Sequence, residues 1–156
     1  IYRRAFRPRL RRKFVYTAAS APPQIVRPAS DVNVGSWTTE SGGTSNLYLS
    51  IDESSVNDSD YVRSPAAPSA SAYRVRLAGV SDPGVDTGHV LRYRVGVDGT
   101  GAMDWVVRVF NASTEVVSWS HSGISSLTTF EQTLSEVQAA ALNYSAIDIE
   151  FEATQV

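Results

Sequence analysis

The sequence lacks cysteine altogether, and charged side chains make up only 19% of its 156 residues, below the usual share of about 25%. Without thiols the chain cannot form a disulfide, a thiolate metal site or a cysteine nucleophile. No apolar run approaches the roughly 20 residues that cross a bilayer, so we expect no membrane partner. A hydrophobic share of 42% instead predicts one globular domain with a core of its own.

Lysine is missing after position 13, and the positive charge is concentrated before that point. Residues 1–13 hold seven of the fourteen basic residues and no acidic one, a charge of +7. Residues 14–156 hold the other seven and all sixteen acidic residues, a net charge of −9. This asymmetry predicts a basic arm attached to an acidic domain.

The arm is assigned to residues 1–30 and the folded domain to residues 31–156. Four prolines interrupt the arm: Pro8, Pro22, Pro23 and Pro28. Each lacks an N–H and biases the preceding residue toward extended backbone, so we expect an extended N-terminal arm. Apolar residues are interspersed with its charges, which a purely solvated tail would not need. The predicted partner-binding residues are Arg3, Arg4, Phe6, Arg7, Arg9, Leu10, Arg11, Arg12, Lys13 and Phe14.

Short runs of alternating polarity follow, separated by turn sequences. The clearest are AYRVRLAGV (72–80), HVLRYRVGV (89–97) and MDWVVRVF (103–110). Further strands are predicted at 33–40, 46–51, 61–64, 115–121, 127–134 and 146–154. In the last of these, Ile147, Ile149 and Phe151 are expected to face the core, with Asp148, Glu150 and Glu152 facing solvent.

One short helix is predicted near residues 135–142. Ser135 and Gln138 have the spacing of a capping box, and three alanines follow. Elsewhere the predicted strands lie too close together for helical crossovers, so the sheets must be mostly antiparallel. The sequence therefore predicts an all-β fold, an antiparallel two-sheet sandwich of the jelly-roll kind.

Catalytic patterns are weak. The two histidines, His89 and His121, are assigned to strand ends with no spacing that calls for a carboxylate partner. No GxSxG, HExxH or Walker sequence occurs. We expect no enzyme activity and no cofactor.

The acidic loop at 52–60 offers oxygen ligands for calcium. Asp52, Asp58 and Asp60 are weak metal candidates, with Glu53 beside them. The loop lacks the spacing and the glycine of an EF-hand, so a solvated acidic loop is the preferred interpretation.

The tryptophans bear on a possible sugar-binding face. Trp105 and Trp119 share strand parity with valines and are predicted to lie in the core. Trp37 is predicted to lie at a strand edge and to be the most open of the three. An exposed Trp37 would favour a carbohydrate-binding or adhesin module as the alternative function.

The arm has three possible interpretations. Its guanidinium groups could pair with phosphates of nucleic acid or with carboxylates on a protein, while its apolar residues fill pockets. A solvated tail is the third possibility. The prolines, the interspersed aromatics and the acidic domain favour a protein partner and make nucleic acid unlikely.

Four segments carry a resemblance. RPASDVNVGSWTTESGGTSNLYLSIDESSVNDSDYVRSP, TGHVLRYRVG, LTTFEQTLSEVQAAALNY and IDIEFEATQV, within residues 27–156, resemble small structural proteins encoded by tailed bacteriophages. The resemblance implies a β-sandwich module of the virion, either a decoration (cement) protein of the capsid or a tail or fibre part. It implies the major capsid protein as partner, a homo-oligomer and a location on the capsid surface. The arm lies outside the matched region.

Overall fold

The computed structural model describes residues 23–156 of the chain. Over that range the chain forms nine strands, one 3-10 helix and one α-helix. The strands are β1 (Pro28–Asn33), β2 (Thr38–Thr39), β3 (Val62–Arg63), β4 (Ser71–Leu77), β5 (Val90–Val95), β6 (Met103–Asn111), β7 (Thr114–Ile124), β8 (Thr128–Thr133) and β9 (Ile147–Gln155). The 3-10 helix is Leu47–Ser50 and the α-helix α1 is Glu136–Ala140. None of the helices in this part of the chain could span a bilayer.

The strands form one large and two small antiparallel sheets. The large sheet has the order β1-β4-β9-β6-β7, and the small ones pair β2 with β3 and β5 with β8. β4 pairs with β9, β5 with β8 and β6 with β7, so each pair encloses the next. The chain from β4 to β9 is therefore one long antiparallel hairpin folded over between two sheets. This confirms the predicted all-β, jelly-roll-like sandwich.

The core lies between the large sheet and the β5–β8 sheet. Tyr93 of β5 packs its ring 6.1 Å from Phe151 of β9 and 5.8 Å from the His121 ring of β7. Val75 and Val107 of the large sheet are fully buried beneath this layer. Strict alternation on β4, β6 and β9 places these apolar side chains on one face, which is why the two sheets pack.

β1 begins at Pro28, within the segment assigned to the arm from the sequence. Its residues pair with β4, from Pro28 opposite Leu77 to Asn33 opposite Arg74. Residues 28–30 thus belong to the large sheet, at its edge. Proline is tolerated there because an edge strand needs no donor on its outer side.

The strand predicted at 46–51 is wrong, because Leu47–Ser50 forms the 3-10 helix instead. Asn46 has a left-handed backbone, with φ 54°, which turns the chain out of an extended path. The carboxylate of Asp31 on β1 then accepts hydrogen bonds from the first two N–H groups of the helix, both at 2.9 Å. Those groups would otherwise lack partners, so a distant side chain decides the local conformation.

The solvent-facing assignment of the β9 carboxylates is also wrong. Asp148 is 1% exposed and Glu150 is 9% exposed. Asp148 accepts two hydrogen bonds from Arg76 on β4, at 2.7 and 3.0 Å. Alternation places both carboxylates on the outer face of the sheet as expected, but arginines on the neighbouring strands cover them.

Glu150 is the centre of this outer-face network. It accepts bonds from Arg74 at 2.6 and 3.0 Å and from Arg108 at 3.0 Å. Arg108 also donates to Glu152 at 2.9 Å. The Arg74 guanidinium lies 3.7 Å above the ring of Phe110, a cation–π contact. The outer face of the large sheet is thus a paired and partly buried ionic layer.

The predicted helix is confirmed. Ser135 accepts a bond from the Gln138 N–H at 3.3 Å, and the Gln138 side chain accepts from the Ser135 N–H at 2.9 Å. Both halves of the capping box are therefore present.

Candidate functional site

The ten predicted partner-binding residues, between Arg3 and Phe14, lie outside the described residues. The structure does describe residues 23–27, which we call the arm root because they join the arm to the domain. The described residues therefore include the junction between the arm and the domain and the surface that surrounds it.

The arm root is fixed to the domain at two points. The Gln24 side-chain amide donates to the Ser81 carbonyl and accepts from the Ser81 N–H, the latter at 3.0 Å. Arg27 donates to the backbone carbonyl of Glu53. A side-chain amide that pairs with both backbone groups of one residue acts like a short stretch of sheet, so the position of the arm root on the domain is defined.

A cavity of about 610 Å³ lies beside the arm root, at one end of the sandwich. Its lining is mostly apolar and comes from both sheets and from the arm root: Val26, Leu77, Val85, Leu134, Leu142 and Ile147. Its size falls in the range of about 300–1,000 Å³ that is typical of ligand pockets. Pro23, the first described residue, also lines it.

Two carboxylates stand near the mouth of this cavity, and Arg92 is the one charged residue among the described residues that line it. The loop after β4 supplies Pro83, Val85 and Thr87 to the lining, while Asp82 and Asp86 of the same loop are exposed. Burial, and then the charges of these two carboxylates, raise the pKa of Tyr144, which also lines the cavity. An apolar cavity with an acidic mouth would suit an apolar segment flanked by basic residues.

Both histidines pair with tyrosine hydroxyls. His89 Nε2 lies 2.7 Å from Tyr144 Oη, and His121 Nε2 lies 2.6 Å from Tyr93 Oη. His121 also stacks on Phe130 with a ring separation of 3.8 Å, and burial lowers its pKa. The His121–Tyr93 contact joins β7 of the large sheet to β5, and the His89–Tyr144 contact joins the loop before β5 to the loop before β9. Both contacts give the histidines a structural role.

The weak metal candidates are not brought together. Asp58 forms a two-point ion pair with Arg94, at 2.9 and 3.0 Å, which satisfies both its oxygens. Within residues 23–156, no group of three or more His, Asp or Glu side chains could hold a metal ion. The sequence signal that could have predicted this pairing is Arg94 on β5. Its position on the outward face of the strand places its side chain over the acidic loop.

Trp37 is buried, so its predicted openness is wrong. It is 2% exposed, and its indole N–H donates to Ser71 at 3.0 Å. Its ring lies 5.8 Å from Tyr73 and 6.0 Å from Trp105. A turn from Val34 to Trp37, closed by a 2.9 Å backbone bond, moves the ring from the sheet edge into the core. Trp105, 8% exposed, lies in the core as predicted.

Comparisons of the chain with protein families, with curated proteins and with solved structures gave no match. The function is therefore argued from the residues and their geometry.

Proposed function

We propose that the chain is a non-enzymatic structural protein of a tailed-phage virion. Its basic arm binds the capsid surface, and its domain decorates and stabilises the shell, with the major capsid protein as partner. The observation that carries the proposal is the separation of charge, +7 in residues 1–13 against −9 in the rest. The resemblance of residues 27–156 to small phage structural proteins supports the same assignment.

The charge separation gives the two parts of the chain different partners. Guanidinium groups pair with carboxylates in a two-point geometry, so an arginine-rich arm suits an acidic protein surface. The domain carries the opposite charge and is repelled by that same surface. The arm therefore makes the contact, and the domain remains outside as a cap.

The arm root favours a tethering role. Residues 1–22 could reach about 70 Å if extended at about 3.3 Å per residue. Gln24 and Arg27 connect this segment to the domain through hydrogen bonds to Ser81 and Glu53. A tether that is fixed at one end makes further contacts intramolecular and so increases the overall affinity.

The histidines and the β9 carboxylates are engaged in the domain's own fold. His121 bonds Tyr93 between the two sheets, His89 bonds Tyr144 between two loops, and the β9 carboxylates bond arginines across the large sheet. These contacts stabilise a rigid sandwich, which is what a cap on a shell requires.

The test is binding of the full chain to assembled, DNA-free shells of the virion, measured by co-sedimentation. In the main variant all seven basic residues of positions 1–13 are changed to glutamine. Exposed ion pairs contribute about 0.2–1 kcal/mol each, so losing all of them should weaken binding at least about tenfold. The matched control replaces Arg63 and Arg92, two exposed arginines of the domain, with glutamine. Undiminished binding by the main variant would refute the proposal.

A DNA duplex serves as the competing ligand. Binding to phosphates would weaken linearly with the logarithm of salt concentration. If the chain binds a short duplex more tightly than it binds shells at the same salt, the arm is a nucleic-acid anchor and the proposed partner is wrong.

A further inference from the structure

The cavity beside the arm root has the size and lining of a site for large apolar side chains. This cavity of about 610 Å³ is lined by valine, leucine and isoleucine from both sheets. Val85 and Val90 at its lining are 43% and 50% exposed, so the apolar surface is open to an incoming segment.

We propose that Phe14, Val15 and Tyr16 of one copy fill this cavity in a second copy. This inference rests on the proposed function, because it names the contact through which copies of the chain would associate on a shell. Phe14–Tyr16 is the longest run of large apolar residues in positions 1–22. Two aromatic rings and a valine match an apolar cavity of this volume.

Charge complementarity favours the same alignment of residues 11–16 with the cavity. Arg11, Arg12 and Lys13 immediately precede the apolar run. Asp82 and Asp86 stand on the loop at the cavity mouth, alternating with residues that line it. With the apolar run inside, the basic triplet lies at the mouth beside these two carboxylates. Apolar and charged features therefore agree on one alignment.

The sequence before Pro23 favours a second copy over the chain's own cavity. Ala21 and Pro22 each precede a proline, which favours extended backbone at both positions. Between Thr17 and Ala21 only Ser20 is of a type common in turns, and Gly, Asn and Asp are absent. We therefore expect an extended linker before Pro23, and an extended linker reaches a neighbouring domain more readily than the cavity beside its own root.

The first experiment measures self-association of the full chain by sedimentation velocity over a concentration series. Changing Phe14, Val15 and Tyr16 together to alanine should weaken association at least about 100-fold, since each buried apolar side chain contributes more than roughly tenfold. The matched control changes Tyr2, Phe6 and Leu10 to alanine and should associate like the unaltered chain. A chain that is monomeric throughout, or an equal effect of both triple variants, overturns the proposal.

The second experiment tests exchange by complementation. Val85→Trp fills the cavity from an exposed loop position, and circular dichroism checks that this variant is folded. The cavity-filled variant and the Phe14–Tyr16 alanine variant should each fail to self-associate. When mixed, they should form a complex of two chains, since one keeps the arm and the other keeps the cavity. No complex in the mixture of two folded variants overturns exchange.

The third experiment uses the absence of cysteine in the chain. Tyr16→Cys combined with Val85→Cys should form disulfide-linked dimers and larger species on oxidation. Tyr2→Cys with Val85→Cys is the matched control and should link far less. A crosslinked monomer would place the segment in its own cavity and overturn the second-copy assignment.

Charge substitutions separate this inference from the proposed function. Asp82→Asn with Asp86→Asn should weaken self-association severalfold and leave shell binding by the basic arm intact. Asparagine at position 82 can still accept the 2.7 Å bond from the Gly84 N–H, so the loop is retained. Undiminished self-association with intact shell binding would refute this inference alone. Lost shell binding together with the expected weakening of self-association would refute the proposed function alone, because it would place shell binding on the domain.

Discussion

Replacing Glu150 with alanine should destabilise the domain by about 3 kcal/mol, because removing one partner of a buried ion pair leaves the other charge uncompensated. The Glu150 side chain is 11% exposed and receives bonds from both Arg74 and Arg108. We choose the lower end of the usual range of about 3–5 kcal/mol, since Arg108 keeps its bond to Glu152. For a domain of this size the loss corresponds to a fall in Tm of about 6–12 °C.

The chain provides a matched control on its other sheet. Arg92 and Glu131 lie directly opposite each other on β5 and β8, as Arg74 and Glu150 do on β4 and β9. The control pair is 3.6 Å apart, with side chains 73% and 60% exposed. Exposed pairs contribute about 0–1 kcal/mol, so Glu131→Ala should have little effect. The cross-strand placement is thus the same in both pairs, while burial and hydrogen bonding differ.

The assay is urea unfolding followed by tryptophan fluorescence, at low and high salt. The loss for Glu150→Ala should be nearly independent of salt because buried pairs are weakly screened. A double-mutant cycle with Arg74→Ala isolates the pair from the general cost of truncation. Equal losses for Glu150→Ala and Glu131→Ala, within about 0.5 kcal/mol, would refute the reasoning from burial.

Three further predictions concern single sites. Asp31→Ala should cost about 2–3 kcal/mol in urea unfolding, because it leaves the buried hydroxyl of Tyr73 and the start of the 3-10 helix without their acceptor; a loss below about 0.5 kcal/mol would contradict this capping role. Burial lowers the pKa of His121 from 6.5, so the stability that depends on its neutral form is present above pH 6.5 and is lost as the pH falls through the lowered pKa. His121→Phe should remove this loss of stability at low pH, and a variant that keeps the same dependence of stability on pH would contradict the role of His121. Gly96→Ala should destabilise by about 1–3 kcal/mol, since its Cβ would lie 2.7 Å from the Leu127 Cα, and full stability in the thermal melt would show that β8 can shift.

The strands from β4 to β9 could be predicted because their side chains alternate within uninterrupted runs. The helix could be predicted because a capping box is a local signal carried by Ser135 and Gln138. The segment at 46–51 could not, since its conformation depends on Asp31, about sixteen residues earlier in the chain. Capping by a distant residue cannot be predicted from the alternation of polar and apolar residues within the segment itself.

The burial of Asp148 and Glu150 was missed for a related reason. Alternation gives the face on which a side chain lies, but it does not say what covers that face. Each of these carboxylates lies opposite an arginine of β4, Arg76 and Arg74. Knowing that β4 pairs with β9 in this register would have revealed the network, and register is not readable from either strand alone. The positions predicted for partner binding, between Arg3 and Phe14, lie outside the described residues.

The position of β9 has a consequence for synthesis of the chain. The last strand in sequence order lies between β4 and β6, near the middle of the large sheet. While the ribosome is still making residues 147–155, both neighbours have already emerged with one edge unpaired, and exposed edges are open to wrong partners. Completion of the large sheet must therefore wait for β9, and it should be slow, as is typical of folds with distant contacts. A delay in producing residues 147–155 would leave the unpaired edges of β4 and β6 open to aggregation.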